Sequence, residues 1–242
     1  MHKQDDDTSF EFYSKGYDIF VDSGFNGYVS NDLRTYLTSA NAHNMVSVDE
    51  KTYHGKKQDA SNVQNAGISY YNIKESDKWN YILGYNNMFK NVKLERHFIN
   101  FKEAIFILDE SVAEKEHNYT QNFQCGPDIK IVSYNDNEVL LCIAESGFFV
   151  KIKQLNKNTT CKILHGKEKT NYGQYSPKMG KVEYLDTIKF TNISINLELA
   201  TLITIEDESG KCIDFSDFIY DRVKKGIIFT DFNNNSEMIV LK

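Results

Sequence analysis

The chain has 242 residues, 40% of them hydrophobic and 26% charged, the composition of a globular protein long enough to bury its own core. With 34 acidic against 28 basic residues the net charge is -6, which excludes the broad basic footprint of a nucleic-acid binder. No stretch approaches the ~20 apolar residues of a membrane span, and the polar, acidic start from Met1 to Thr8 is not a secretory signal peptide.

In chain order, the apolar pattern is short and alternating almost throughout. Residues 9–13 and 17–22 read as two strands joined by Ser14-Lys-Gly16, where Gly16 is available for a positive φ. A short helix is expected near residues 31–38, because Ser30 and Asn31 are capping types and Leu33 and Leu37 lie four apart. Residues 53–77 are polar and weakly patterned, the signature of a long loop. Further strands are expected at 92–101, 104–109, 130–134, 139–144, 148–153 and 162–165, then at 187–190, 194–205, 212–215, 226–231 and 237–241. Spacing of roughly 8–12 residues with Asn, Asp, Gly and Ser between strands predicts an all-β antiparallel sandwich or barrel. No internal repeat interrupts it. The four cysteines, Cys125, Cys142, Cys161 and Cys212, form no CxxC pair and read as small buried hydrophobes.

Three features near the N-terminus carry chemistry-bearing residues. They are His2-Lys-Gln-Asp-Asp-Asp-Thr-Ser-Phe10, then Phe20-Val-Asp-Ser-Gly24, then the stretch from Arg34 through His43 and Asn44 to Asp49. Singly, each has a plain reading: a solvated acidic run, a turn closing a strand, a capping pair. In this order they resemble the heparinase II/III-like polysaccharide lyase family. His2, Asp6, Ser9 and Phe10 match its opening motif, Val21, Asp22 and Gly24 its V-D-x-G, and Arg34, Ser39, His43, Asn44, Val46, Val48 and Asp49 its third string. Arg96-His-Phe-Ile, the segment from Ile105 to Asp109, and Phe123 with Pro127 and Asp128 also fit. Residues 173–180 resemble its G-W-x-S-x-x-x-G turn, with Gln174 where Trp is common.

The resemblance implies a large antiparallel β-sandwich of two packed sheets, with residues 1–172 as the body. Residues 173–242 would be terminal strands completing the sandwich or a small C-terminal β layer. It implies β-elimination on uronate-containing acidic polysaccharides, of the glycosaminoglycan or alginate kind. The difficult step is removal of the weakly acidic C5 proton, which requires neutralising the adjacent carboxylate and placing a base and an acid. In the family an N-terminal helical toroid supplies most of these groups, and the sandwich adds the first His of its opening motif, here His2. Only Met1 precedes His2, so the expectation is the sandwich part of a longer enzyme, inactive without a toroid domain or an upstream gene product.

The resemblance also implies a divalent metal site, zinc or calcium, at the positions of Gln4, Asp22 and His43. Asp and His are ordinary zinc ligands. Gln4 departs from the family's His and offers a neutral amide oxygen, which weakens zinc or favours a harder ion. Arg34 has two readings, a grip on a substrate carboxylate or a structural ion pair near Asp22 or Asp49. Tyr28 is a candidate substrate-binding residue lining the cleft. His54, His97, His117 and His165 match nothing assignable and read as ordinary surface or sheet residues. The family suggests a bacterial periplasmic, secreted or cell-surface setting, although this chain carries no signal peptide. A non-catalytic glycan-binding or structural sandwich is the alternative reading, motivated by Gln4 and the absent toroid.

Overall fold

A computed structural model describes residues 3–53, 65–73, 78–167, 170 and 172–242. The N-terminal hairpin forms as the sequence predicts: β1 (Phe12–Ser14) and β2 (Tyr17–Phe20) pair across Lys15 and Gly16, both at positive φ. The helix α1 spans Asp32–Leu37, and the Asn31 side chain accepts the Arg34 N–H to cap it. One 3₁₀ turn, Ala40–Ala42, follows, and then β3 (Val46–Val48).

Two sheets make the sandwich. β4 (Ala66–Asn72), β5 (Asn80–Asn86), β6 (Val92–Asn100), β7 (Ala104–Ala113), β8 (His117–Gln124), β9 (Ile129–Asn135) and β10 (Glu138–Ile143) come first in the chain. β11 (Phe149–Gln154), β12 (Thr160–His165), the hairpin of β13 (Gln174–Lys178) with β14 (Lys181–Tyr184), β15 (Asp186–Ser194) and β16 (Glu198–Glu206) follow. The large sheet has the order β4-β5-β6-β7-β16-β11-β10-β9, and the smaller one β12-β15-β8-β3. All pairings within both are antiparallel. Their facing side chains, among them Ile105, Ile107, Val150, Ile152 and Ile203 from the large sheet and Phe123, Ile188 and Phe190 from the small one, form the main core.

A third layer covers the other face of the large sheet. β17 (Asp217–Asp221), β18 (Gly226–Thr230) and β19 (Ser236–Val240) form a three-stranded sheet. From this layer Ile227, Phe229, Ile239 and Leu241 pack on Phe106, Leu108 and Ala200. β7 and β16 are therefore apolar on both faces, which explains why residues 104–108 form a continuous apolar run.

Several sequence expectations need correction. Residues 212–215 form no strand; Cys212 makes one isolated bridge to Glu206, and Phe215 is an anchor of the outer core. The expected loop at 53–77 contains β4, a half-buried to exposed edge strand held by β5 alone; residues 54–64 and 74–77 lie outside the described residues. β8 went unpredicted because its sequence, His-Asn-Tyr-Thr-Gln-Asn-Phe-Gln, is polar, yet nearly all of it is buried. Several of its polar side chains find partners off the strand: Asn122 donates to the Met45 carbonyl, and Gln124 donates to that of Asn41.

Candidate functional site

The strand β2 ends at Phe20, and Val21 donates to the Gln124 carbonyl, so Asp22, Ser23 and Gly24 leave the sheet as a turn. A clamp from β13 fixes this turn: Ser176 N–H donates to the Ser23 carbonyl at 2.9 Å, and Phe25 N–H donates to the Ser176 carbonyl at 3.1 Å. Gly24 is required here. Its φ is +78°, and a Cβ would stand 2.0 Å from the Ser176 carbonyl oxygen.

Asp22 spends both carboxylate oxygens locally. Oδ1 accepts the Gly24 N–H at 2.8 Å, and Oδ2 lies 2.8 Å from His43 Nδ1. Burial would raise the Asp22 pKa, but the His43 hydrogen bond and charge, with the Gly24 and Ser23 amides, hold it below 3.8. His43 caps the 3₁₀ turn and is fully buried, and its Nε2 has no partner. Gln4 reaches the same turn by donating from Nε2 to the Gly24 carbonyl at 3.4 Å, and its buried Oε1 is also without a partner. The fold thus brings Gln4, Asp22 and His43 around Gly24. His2 lies outside the described residues.

Gln4 sits between two cavities. One, of about 470 Å³, is lined by Asp22, Glu11, Asp18, Tyr175 and Lys178 as well as Gln4. The other, of about 180 Å³, is lined by Gln4, Phe25, Asn31, Arg34 and Leu37. Arg34 Nη1 donates to the Gly27 carbonyl at 2.6 Å, and the guanidinium lies over the Phe25 and Tyr28 rings, 5.6 Å from each centroid. The expected ion pair with Asp22 or Asp49 does not form. Asp22 is committed to His43 and Gly24, and Asp49 accepts from the Asn118 N–H and pairs with His117 and Lys51. Among the described residues Arg34 has no carboxylate partner. Tyr28 is 63% exposed and packs edge-on against Phe25.

A family model described as "Heparinase II/III-like, C-terminal" matches residues 1–211. The chain belongs to the heparinase II/III-like family. Among solved structures it is similar to the heparan sulfate lyase HepC from Pedobacter heparinus, with 16% identity and a TM-score of 0.78 over 99% of this chain and 37% of that one. It is also similar to a structure of heparinase III, with 18% identity and a TM-score of 0.74 over 98% of this chain and 36% of that one. At such identities the likeness bears on the fold, which is the β-sandwich domain. The chain spans little more than a third of these relatives. No curated protein matches it in sequence.

Within this family member, other residues of the matching strings turn out to be scaffold. Asn44 donates to the carbonyls of Phe10 and Val21 and accepts the Gln124 N–H, so it ties the N-terminal segment, the end of β2 and β8 together. Ser9 Oγ accepts the Asn44 N–H. Asp49 is held at a pKa of about 2; burial opposes this, and the Asn118 amide, His117 and Lys51 prevail.

Sequence reasoning missed a group on the opposite side of the large sheet. Glu95, His97 and Glu110 place ligand-type atoms within 4.8 Å of one another. Register explains the group: Glu95 and Glu110 are cross-strand partners, and His97 is two residues along on the same face. His97 is not a surface residue but 1% exposed, with Nδ1 2.7 Å from Tyr81 Oη and Nε2 3.2 Å from Glu110. Its hydrogen bond pulls the Glu110 pKa down to about 2 against burial, with Lys225 adding to the effect. The Glu-x-His spacing was the only sequence signal, and it is a weak one. His117 is likewise buried, on Asp49, whereas His165 is exposed beside Asp186; His54 lies outside the described residues.

Proposed function

We propose that this chain is the β-sandwich part of a polysaccharide lyase that cleaves uronate-containing acidic polysaccharides by β-elimination. It would act together with a helical toroid domain or the product of a neighbouring gene. Family membership supports the reaction class. The observation that carries the site assignment is the buried, unpartnered Gln4 Oε1 on a residue lining the same cavity as Arg34, with a second open atom, His43 Nε2, on the partner of Asp22 in the same turn.

In this reading Arg34 neutralises the uronate carboxylate and so stabilises the charge that develops as the C5 proton leaves. Tyr28 and Phe25 hold the guanidinium in place and offer a face to the sugar ring. His2 works as a base or acid at the cleft, and the toroid supplies the remaining proton donor. In this reading the sandwich supplies one wall of the cleft, and turnover needs the toroid wall to orient the substrate.

Gln4, Asp22 and His43 fit a divalent cation in donor chemistry, since an imidazole nitrogen and an amide oxygen are open and a carboxylate stands beside them. They fit zinc less well than a set with a second histidine, and suit calcium or a loosely held zinc. Such an ion supplies fixed positive charge to the cleft wall. The Asp22 to His43 bond meanwhile orients the imidazole and fixes Nδ1 as the protonated nitrogen.

The test is to mix this chain with its toroid partner and follow unsaturated-uronate absorbance on heparan-type substrates and on alginate. Absorbance that needs both proteins and is lost in Arg34→Ala supports the reading. None on any uronate polymer overturns it. The Gln4 departure favours a second reading, a glycan-binding module without catalysis; calorimetric glycan binding that survives His2→Ala, without turnover, selects it. A periplasmic, secreted or cell-surface location in a bacterium goes with either.

A further inference from the structure

The outer face of the smaller sheet is polar. Its β8 side is roofed by α1 and the 3₁₀ turn, whose neighbours take up the side chains of Asn122 and Gln124. Its β15 and β12 side is open, and a cavity of about 510 Å³ lies there between the sheet, α1 and the segment after β3. That volume is within the range of small-molecule sites, roughly 300–1,000 Å³.

Lys162 of β12 and Lys189 of β15 both line this cavity and are direct cross-strand partners. Like charges in that arrangement repel, and the repulsion destabilises a sheet where nothing neutralises it. Lys189 is partly buried, and among the described residues neither ammonium has a hydrogen bond or an ion pair. Burial lowers the Lys189 pKa, with Glu50 opposing and Lys162 adding to the effect. Two adjacent unpaired cations in a cavity call for an anionic group.

The rest of the lining narrows the ligand. Tyr172 and Leu164 supply apolar surface, and Asp32 and Glu50 supply acceptors. Two carboxylates would repel a densely charged polyanion, and they suit hydroxyl groups as hydrogen-bond donors. A neutral ligand would leave the facing Lys162 and Lys189 charges offset only by the Coulombic pull of Glu50 on Lys189. We propose that this cavity binds an acidic sugar, a hydroxylated ring with one carboxylate or sulfate, with the acid group on Lys162 and Lys189 and the ring against Tyr172. The site shares no lining residue with the two cavities around Gln4, because α1 separates them: Arg34, Leu37 and Thr38 face one side, and Asp32, Thr35 and Tyr36 the other.

The experiment is calorimetric titration of the chain with a glucuronate-containing disaccharide, with sodium sulfate and with glucose, for wild type, Lys162→Met, Lys189→Met and Lys189→Arg. Thermal melting of each variant reports folding. Saturable binding of the disaccharide is expected, weakened at least tenfold in each Met variant and retained in Lys189→Arg. Sulfate and glucose should bind at least tenfold more weakly than the disaccharide. Lys162 is exposed, so its variant reports on binding even if Lys189→Met fails to fold. The proposal is overturned by absence of disaccharide binding, or by folded Met variants that bind as wild type does. Sulfate binding as well as the disaccharide also overturns it, as a plain anion site. Turnover plays no part in this readout, so the lyase reading can fail while this one holds.

Discussion

Two buried polar centres lie close along the sequence motifs and behave differently. In the first, Arg96 makes a bidentate pair with Asp109 at 2.7 and 2.8 Å, and its remaining arm donates to the carbonyls of Thr8 and Asn44. Gln121 adds a further donor to Asp109. In the second, Asp22 and His43 pair at 2.8 Å, but His43 Nε2 and Gln4 Oε1 are left without partners. An unsatisfied buried polar atom costs about 1–3 kcal/mol. The first centre closes on itself, as scaffold does; the second keeps two atoms open, which is what the cation proposed above would use.

The contrast is broken most forcefully at Asp109. Asp109→Ala leaves the Arg96 guanidinium buried and unpaired at the junction of the N-terminal segment with the large sheet, and is expected to cost about 3–5 kcal/mol. Urea unfolding measures it. A loss under about 1 kcal/mol would show that the Arg96 centre is not the scaffold described here.

Both centres were visible in the sequence to different degrees. Arg34, His43, Asn44 and Asp49 stood out as a string, and Gly24 as a turn, because spacing and residue type survive in one dimension. What spacing could not show is which member does what. Asn44 and Asp49 are ties, a role that depends on Phe10 of the N-terminal segment and on Gln124, Asn118 and His117 of β8. The large antiparallel body was legible from alternation, and β8 was not, since the partners of its buried Asn122 and Gln124 come from the loop between Asn41 and Ser47, distant in sequence. The Glu95, His97 and Glu110 group depends on cross-strand register, which local pattern does not encode.

A second test sharpens the open centre. Gln4→His replaces an unpartnered amide oxygen with an imidazole, so zinc affinity measured by competition with a chromophoric chelator is expected to rise at least tenfold. Stability of the metal-free protein should change by less than about 1 kcal/mol, because no strong hydrogen bond of Gln4 is lost. Unchanged zinc affinity would mean that the atoms around Gly24 do not converge on an ion.

The smallest effect is a pH dependence confined to the open centre. The Asp22 carboxyl is held below its ordinary 3.8 by His43 and the turn amides, which outweigh burial. A carboxyl lowered in the folded state contributes stability above its unfolded pKa and loses it as pH falls through the folded value. Asp22→Asn should therefore cost stability at pH 6, and the gap from wild type should close below about pH 4 as both chains carry a neutral group. The side chain of Asp22 is 34% exposed, so solvent screening limits the difference to no more than about 1 kcal/mol. Urea unfolding at pH 6 and at pH 3 gives the comparison directly. A penalty that stays constant across that range would assign the Asp22 contribution to shape and hydrogen bonding rather than to its negative charge.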